Sequence, residues 1–146
     1  MNSDARRRPR RARPWVWVAA WVGVILLGTS LPGSAVQGFP VVSDKMVHFA
    51  LYAPLGALLV NALGATPALR RRLLAATFLA VVIGVLFGAV DEWHQLFIPG
   101  RHADIGDWHA DTKGILTGAI VAIIYLSSKD WRARHVRGEK HHRRRF

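Results

Sequence analysis

The chain has 146 residues, of which 51% are hydrophobic, and its formal net charge is +11. A chain of this length forms one domain, and because it has no cysteine, disulfide frameworks, thiol catalysis and zinc–thiolate sites are excluded. Its apolar and charged residues lie in separate stretches, which is typical of a chain that crosses a membrane several times.

Four apolar stretches, taken in chain order, predict four transmembrane helices. The first three are close to the ~17–25 residues that span a bilayer core, and the fourth lengthens if it begins near Trp108. None has the polar stripe at helical period that a surface helix of a soluble protein shows. The stretches are residues 15–31, 46–63, 73–90 and 114–128. We therefore predict an all-α, integral-membrane four-helix bundle.

The first stretch allows two interpretations. Its Arg-rich start, apolar run and following small residues resemble a secretory signal peptide. Cleavage would release only three further hydrophobic stretches, so an uncleaved first helix is the preferred interpretation.

The basic residues predict the orientation of the helices. Seventeen of the 20 Lys and Arg residues precede the first helix, lie at 70–72, or follow the fourth helix. The positive-inside rule predicts a protein of the cell membrane whose three basic regions, and so both termini, lie on the cytoplasmic side. The predicted division is a basic tail at 1–14, a transmembrane domain at 15–128, and a second basic tail at 129–146, with both tails irregular in structure.

A basic balance this strong has two explanations. Nucleic-acid binding is disfavoured, because the clusters are tails beside apolar segments without a recognition fold. Attraction of the tails to anionic lipid of the inner leaflet is preferred. The predicted partner is thus the lipid bilayer, and a homo-oligomer is compatible with the sequence.

The segment DKMVHFALY carries the first group of polar residues that topology does not explain. Asp44, His48 and Tyr52 recur every four residues and therefore line one face of a helix. They form either a functional face or a helix cap followed by interfacial side chains.

The segment AVDEWHQLFIPGR carries the second group. A helix from residue 73 is predicted to continue to residue 98 and stop before Pro-Gly. Asp91, Glu92 and Gln95 then share a face near its outer end. Ionisable residues at membrane depth are costly and mark function, although a pair of acids in water at the interface is the alternative.

The outer loop and the start of the last helix supply further candidates. Arg101 follows the Pro-Gly turn, and it could pair with Asp91 or Glu92 or bind a phosphate or carboxylate. Asp107 and Asp111, four residues apart, either favour the helix N-terminus or belong to the site.

Glycines at helical spacing predict close helix packing. Residues separated by four positions let helix backbones approach when both are small. The predicted packing positions are Gly84, Gly88, Gly114 and Gly118.

These residues, in this order, resemble the VanZ-like family of small membrane proteins over about residues 40–120. Asp111 stands where the family often has Asn, and Lys113 is a charge at a usually uncharged position, so the start of the fourth helix is less defined. The residues that carry the resemblance are Asp44, His48, Phe49, Tyr52, Asp91, Glu92, Gln95, Pro99, Gly100, Arg101, Asp107, Asp111, Gly114 and Gly118.

The resemblance implies a cell-envelope protein, since the family takes its name from a protein that raises resistance to the glycopeptide antibiotic teicoplanin. It implies no particular reaction or cofactor. We expect an outer site in which Arg101 holds an anionic lipid headgroup or a cell-wall precursor, with the carboxylates, Tyr52, Gln95 and His48 around it.

Two alternatives differ in class. The first is a membrane enzyme acting on a lipid or lipid-linked substrate, with Asp44, His48, Asp91 and Glu92 as acid–base candidates or as ligands of a divalent cation. The second is an ion-coupled carrier, which four short helices disfavour unless the protein oligomerises.

Overall fold

The described part of the chain folds into four long helices and one short helix. The structure is a computed structural model that describes residues 13–36 and 43–142. Its helices are α1 Arg13–Thr29, α2 Gly33–Val36, α3 Asp44–Gly64, α4 Leu73–Gln95 and α5 Ile105–His142. The described part of the chain has no strand, and the predicted all-α fold is confirmed. The predicted N-terminal tail lies outside the described residues except for its last two positions.

Three of the helices are long and apolar enough to cross a membrane: α3, α4 and the part Ile105–Lys129 of α5. Helix α1 is apolar but shorter, and its 17 residues rise about 26 Å at ~1.5 Å per residue. The outward faces of α4 and α5 expose large apolar side chains, which suit contact with lipid rather than water. Among them are Leu74, Phe78, Leu86, Ile120 and Ile124.

Helix α3 is central to the packing. It makes its most extensive contact with α5 and also packs against α4 and α1. Buried Leu55, Leu59 and Val60 of α3 belong to one apolar cluster with Ile25 of α1 and Ile115 of α5. The bundle therefore has a continuous core that orients the polar ends of its helices.

Close approach of the helices depends on glycine at several contacts. A Cβ on Gly118 would collide with the carbonyl oxygen of Ala53, and one on Gly114 would lie 2.7 Å from that of Phe49. The glycines of α4 face α5 in the same way. A Cβ on Gly84 would lie 2.5 Å from the Ile115 side chain, and one on Gly88 would lie 3.3 Å from Cβ of Asp111.

Helix α4 ends earlier than the sequence predicts. The α-helix stops at Gln95 rather than at residue 98. The next three residues continue in tighter i→i−3 hydrogen bonds, the last from Ile98 N–H to the Gln95 carbonyl at 3.0 Å. The reason is Pro99, which disfavours helical geometry in the residue before it and leaves the last turn to tighten.

Helix α5 is longer than predicted at both ends. It begins at Ile105, where the Asp104 carboxylate accepts a hydrogen bond from Gly106 N–H at 2.7 Å. This is the bond of an N-cap residue. At its other end the helix continues to His142. The prediction of an irregular C-terminal tail is therefore wrong for residues 129–142.

The loop after α4 is held against the short helix α2. Gly100 has a positive φ of +73°, which glycine adopts without strain. Gly33 N–H donates a hydrogen bond to the Pro99 carbonyl at 3.2 Å, and a Cβ on Gly33 would collide with the Gly100 carbonyl. These two glycines bring the segment carrying Arg101 close to the end of α1.

Candidate functional site

The buried polar side chains of the described residues gather at one end of the bundle. This end is formed by the last turns of α1 and α4 and the first turns of α3 and α5, because successive long helices run in opposite directions. We call this group of residues, together with Tyr52, the polar cluster. Its buried members are Thr29, His48, Asp91, Glu92, Gln95, Asp107 and Asp111.

Asp91 is held by two hydroxyl groups from different helices. It is 1% exposed. The Tyr52 hydroxyl donates to its Oδ2 at 2.9 Å, and Thr29 Oγ1 lies 2.9 Å from its Oδ1. Thr29 Oγ1 also lies 3.0 Å from the Ile25 carbonyl, so its one proton is shared between two acceptors. These bonds join α1, α3 and α4 through a single carboxyl group.

His48 faces three carboxyl groups. Its Nδ1 lies 3.0 Å from Asp111 Oδ1 and 3.9 Å from Glu92 Oε1, and its Nε2 lies 4.0 Å from Asp107 Oδ2. The shortest contact is a hydrogen bond between two buried side chains of α3 and α5. A carboxylate in this position orients an imidazole ring and selects its tautomer.

Lys45 bridges two acids at the rim of the polar cluster. Its Nζ lies 2.8 Å from Asp104 Oδ2 and 3.0 Å from Asp107 Oδ1. The hydrogen bond from Lys45, followed by the one from Gly106 N–H, lowers the pKa of Asp104 below its ordinary value. Asp104 therefore stays ionised at a lower pH than a free aspartate, and Asp107 is held beside His48.

Glu92 links α4 to the start of α5. Its Oε2 accepts a hydrogen bond from Asp104 N–H at 2.9 Å, and its Oε1 lies 3.4 Å from Gln95 Nε2. Oε1 is the oxygen that faces His48. One oxygen is thus engaged by backbone, while the other points at the imidazole with only a long contact from the amide.

Arg101 lies beside the polar cluster with few partners of its own. Its side chain is 13% exposed, and its one ionic contact within the described residues is to Asp44 Oδ2 at 3.7 Å. Its Nε is buried without a hydrogen-bond partner among the described residues. Of the predicted partners, neither Asp91 nor Glu92 pairs with it, because Tyr52, Thr29 and the loop backbone engage those acids.

Two sets of side chains are placed to hold a metal ion. One set is His48, Glu92 and Asp111, all buried. The other set is Asp44, His48 and Asp107. Within each set, one ligand atom per residue lies within 4.8 Å of the others. His48 is common to both sets, and its two ring nitrogens face different acids.

The structure brings together the predicted residues of all three helices. The buried ones lie inside the polar cluster, while Asp44, with 48% of its side chain exposed, lies at the rim beside Arg101. Sequence reasoning missed Thr29 and the bridging role of Lys45. Thr29 is the last residue of an otherwise apolar helix, and nothing in the sequence marks a single Thr there as a partner of Asp91. Lys45 is a charged residue next to Asp44, so its presence near the site was visible in the sequence.

An all-α bundle with helices of bilayer length indicates a multi-pass membrane protein, and its candidate site is the polar cluster at one end of the bundle. The chain belongs to the VanZ/LLP1 family, whose family model matches residues 14–126. The match includes every residue of the polar cluster. The resemblance found in the sequence is therefore confirmed over more of the chain than the motifs covered.

Two further comparisons found nothing similar. No curated protein matches the chain, and no solved structure does.

Proposed function

We propose that the chain is an envelope protein of the cell membrane that binds an anionic headgroup, of a lipid or of a cell-wall precursor, at Arg101 on the outer side. The observation that carries this proposal is the poor pairing of that arginine. A guanidinium group has five N–H donors in a planar fork. Arg101 is largely buried, yet its only ionic contact among the described residues is 3.7 Å long.

A buried cation without close partners is costly, and a ligand that supplies them is favoured. Phosphate and carboxylate groups match the guanidinium fork because they accept two parallel hydrogen bonds. Asp44, half-exposed at 3.7 Å, can move away toward solvent when such a group enters. Lys45 adds a second positive charge at the same rim, although two acids already bind it.

Retention of lipid by the purified chain tests the proposal. The full chain in neutral detergent is exchanged with vesicles of phosphatidylglycerol or of phosphatidylcholine, and bound phospholipid is measured after gel filtration. We expect preferential retention of phosphatidylglycerol, with Arg101→Gln lowering it at least tenfold and Arg101→Lys lowering it less, because lysine keeps the charge but loses the fork.

Lys113→Gln is the matched control, because Lys113 is an exposed cation on the same predicted side that does not belong to the polar cluster. It should retain phosphatidylglycerol as the wild type does. Equal retention of the two lipids, or equal losses in Arg101→Gln and Lys113→Gln, would contradict a specific anion site. A change in teicoplanin susceptibility of cells expressing the chain, absent with Arg101→Gln, would link the site to the envelope phenotype.

A second candidate function is supported by the contact between His48 and Asp111. An imidazole held by a buried carboxylate at 3.0 Å, with Glu92 near the same nitrogen, is an arrangement suited to acid–base catalysis on a bound lipid or lipid-linked substrate. Turnover of an added lipid extract by the purified chain, lost in Asp111→Asn and kept in Lys113→Gln, would establish an enzyme. Binding without any turnover would leave the first function.

A further inference from the structure

The charge of the polar cluster is unbalanced in its interior. Four carboxyl groups are buried there, those of Asp91, Glu92, Asp107 and Asp111, whereas His48 is the one basic side chain among the buried residues that the structure describes. Asp91 is satisfied by two hydroxyl donors. The other three acids surround the imidazole, and of these Asp107 is also bound by Lys45 at the rim. Burial of the carboxylates of Glu92 and Asp111 is costly unless a cation accompanies them.

Asp111 shows that a partner is missing. It is 0% exposed, and its Oδ1 meets His48. Its Oδ2 is buried without a hydrogen-bond partner among the described residues. A buried carboxylate oxygen without a donor loses the hydrogen bonds that water would give it. This oxygen lies on the α4 side, since a Cβ on Gly88 would be 3.3 Å from it.

We propose that His48, Glu92 and Asp111 bind one divalent cation. Ligands about 2.1 Å from a common ion lie roughly 3.0 Å apart at right angles and about 4.2 Å apart when opposite. The distances from His48 Nδ1 to Asp111 Oδ1 and to Glu92 Oε1 are 3.0 Å and 3.9 Å. These two pairs of atoms thus have the spacing of ligands of one ion, and one ligand atom from each of the three residues lies within 4.8 Å of the others.

The surrounding residues support the three ligands. A metal-bound histidine donates its other ring N–H to an acceptor that orients it. Nε2 of His48 faces Asp107 Oδ2 at 4.0 Å, and Lys45 holds the other oxygen of Asp107 at 3.0 Å. Glu92 Oε2 is anchored by Asp104 N–H, and Oε1 has only the 3.4 Å contact from the Gln95 amide to give up when it binds an ion.

The donor set indicates the kind of ion. One imidazole nitrogen with two carboxylate oxygens suits a borderline cation such as Zn²⁺ or Mn²⁺, whereas Mg²⁺ and Ca²⁺ prefer oxygen alone. Three protein ligands from α3, α4 and α5 also leave coordination positions for water or a ligand. The cation site does not depend on anion binding by Arg101.

The test is Zn²⁺ or Mn²⁺ binding by the purified full chain, produced without a histidine tag and stripped with a chelator. We expect about one ion per chain in elemental analysis and a higher melting temperature with the ion bound. Glu92→Gln and Asp111→Asn, which keep side-chain volume, should each lower the affinity at least tenfold. Asp107→Asn should lower it less, by about tenfold at most, because Asp107 acts through His48.

Two controls make the outcome specific. The double variant His141→Gln/His142→Gln removes a histidine pair of the basic C-terminal segment and should keep the ion, as should His109→Gln. Each variant is first shown to have wild-type helix content by circular dichroism. The proposal is overturned if Glu92→Gln and Asp111→Asn bind the ion as the wild type does, or if the ion is lost only with His141 and His142.

Discussion

Asp91 shows how single residues stabilise a buried acid in this bundle. Its two oxygens are met by Tyr52 of α3 and by Thr29 of α1, so a buried carboxyl group has a donor at each side. Hydrogen bonds to charged groups contribute about 1.5–3 kcal/mol. Asp91 therefore ties three helices together, and its role in the structure is distinct from that of the acids around His48.

At this scale we predict that Tyr52→Phe destabilises the bundle. The substitution leaves Asp91 Oδ2 buried without its donor, which costs about 1–3 kcal/mol. Thermal or denaturant unfolding in detergent, followed by circular dichroism, measures the loss. Tyr125→Phe is the control, because Tyr125 is 62% exposed and its hydroxyl has no such partner among the described residues. Equal stability of the two variants would show that the Asp91 bond contributes little.

Helix packing, at the scale of elements, is set by the contact of α3 with α5. A Cβ on Gly118 would collide with the Ala53 carbonyl, and one on Gly56 of α3 would collide with the carbonyl of Ile115. The backbones approach each other because neither glycine has a side chain between them. This approach brings His48 within 3.0 Å of Asp111, so packing and site geometry are coupled.

We predict that Gly118→Ala destabilises the bundle and disturbs the site. Its methyl group would overlap the Ala53 carbonyl, and overpacking of this kind costs about 1–3 kcal/mol. Unfolding in detergent measures the loss. Gly23→Ala in α1 is the matched control, since nothing lies within 4 Å of the added Cβ. It should be neutral or stabilising, because alanine favours a helix more than glycine does.

At the scale of the whole molecule, charge and aromatic residues define two different ends. The end opposite the polar cluster carries the exposed Arg70, Arg71 and Arg72 between α3 and α4, and the exposed Trp15 and Trp17 at the start of α1. The other end carries the acids and Trp93. This asymmetry supports a cytoplasmic basic end and an outer polar cluster, since positive loops stay inside and Trp favours both interfaces.

The orientation is tested with reporters fused at two loops. A fusion after Arg101 should report the extracytoplasmic side, and one after Arg71 should report the cytoplasm. Labelling of single introduced cysteines with a membrane-impermeant reagent is a second measurement, and the chain offers no native cysteine to interfere. A cytoplasmic signal after Arg101 would reverse the orientation and with it the outer location of the site.

Much of the architecture follows from the order of residues. Apolar stretches of bilayer length predict the helices because lipid favours segments whose backbone bonds are satisfied internally. The spacing of His48 and Tyr52, and of Asp107 and Asp111, predicts shared faces because the helix repeats every 3.6 residues. All four side chains are buried. Asp44, one turn earlier on the same face, is exposed because the bundle ends there.

Only the tertiary structure decided which side chains meet. Asp91 pairs with Tyr52 and Thr29, and Arg101 lies near Asp44 rather than near either acid of α4. Whether two residues that lie tens of positions apart become partners depends on the rotation and axial position of each helix. Close packing at the glycines and the early end of α4 determine both. The sequence by itself determined a helical membrane protein with acids, a histidine and an arginine at one end. The packing decided which of these groups have hydrogen-bond partners and which still lack one. The reason is that side-chain periodicity determines which residues share a face of one helix, but not which faces of two helices meet.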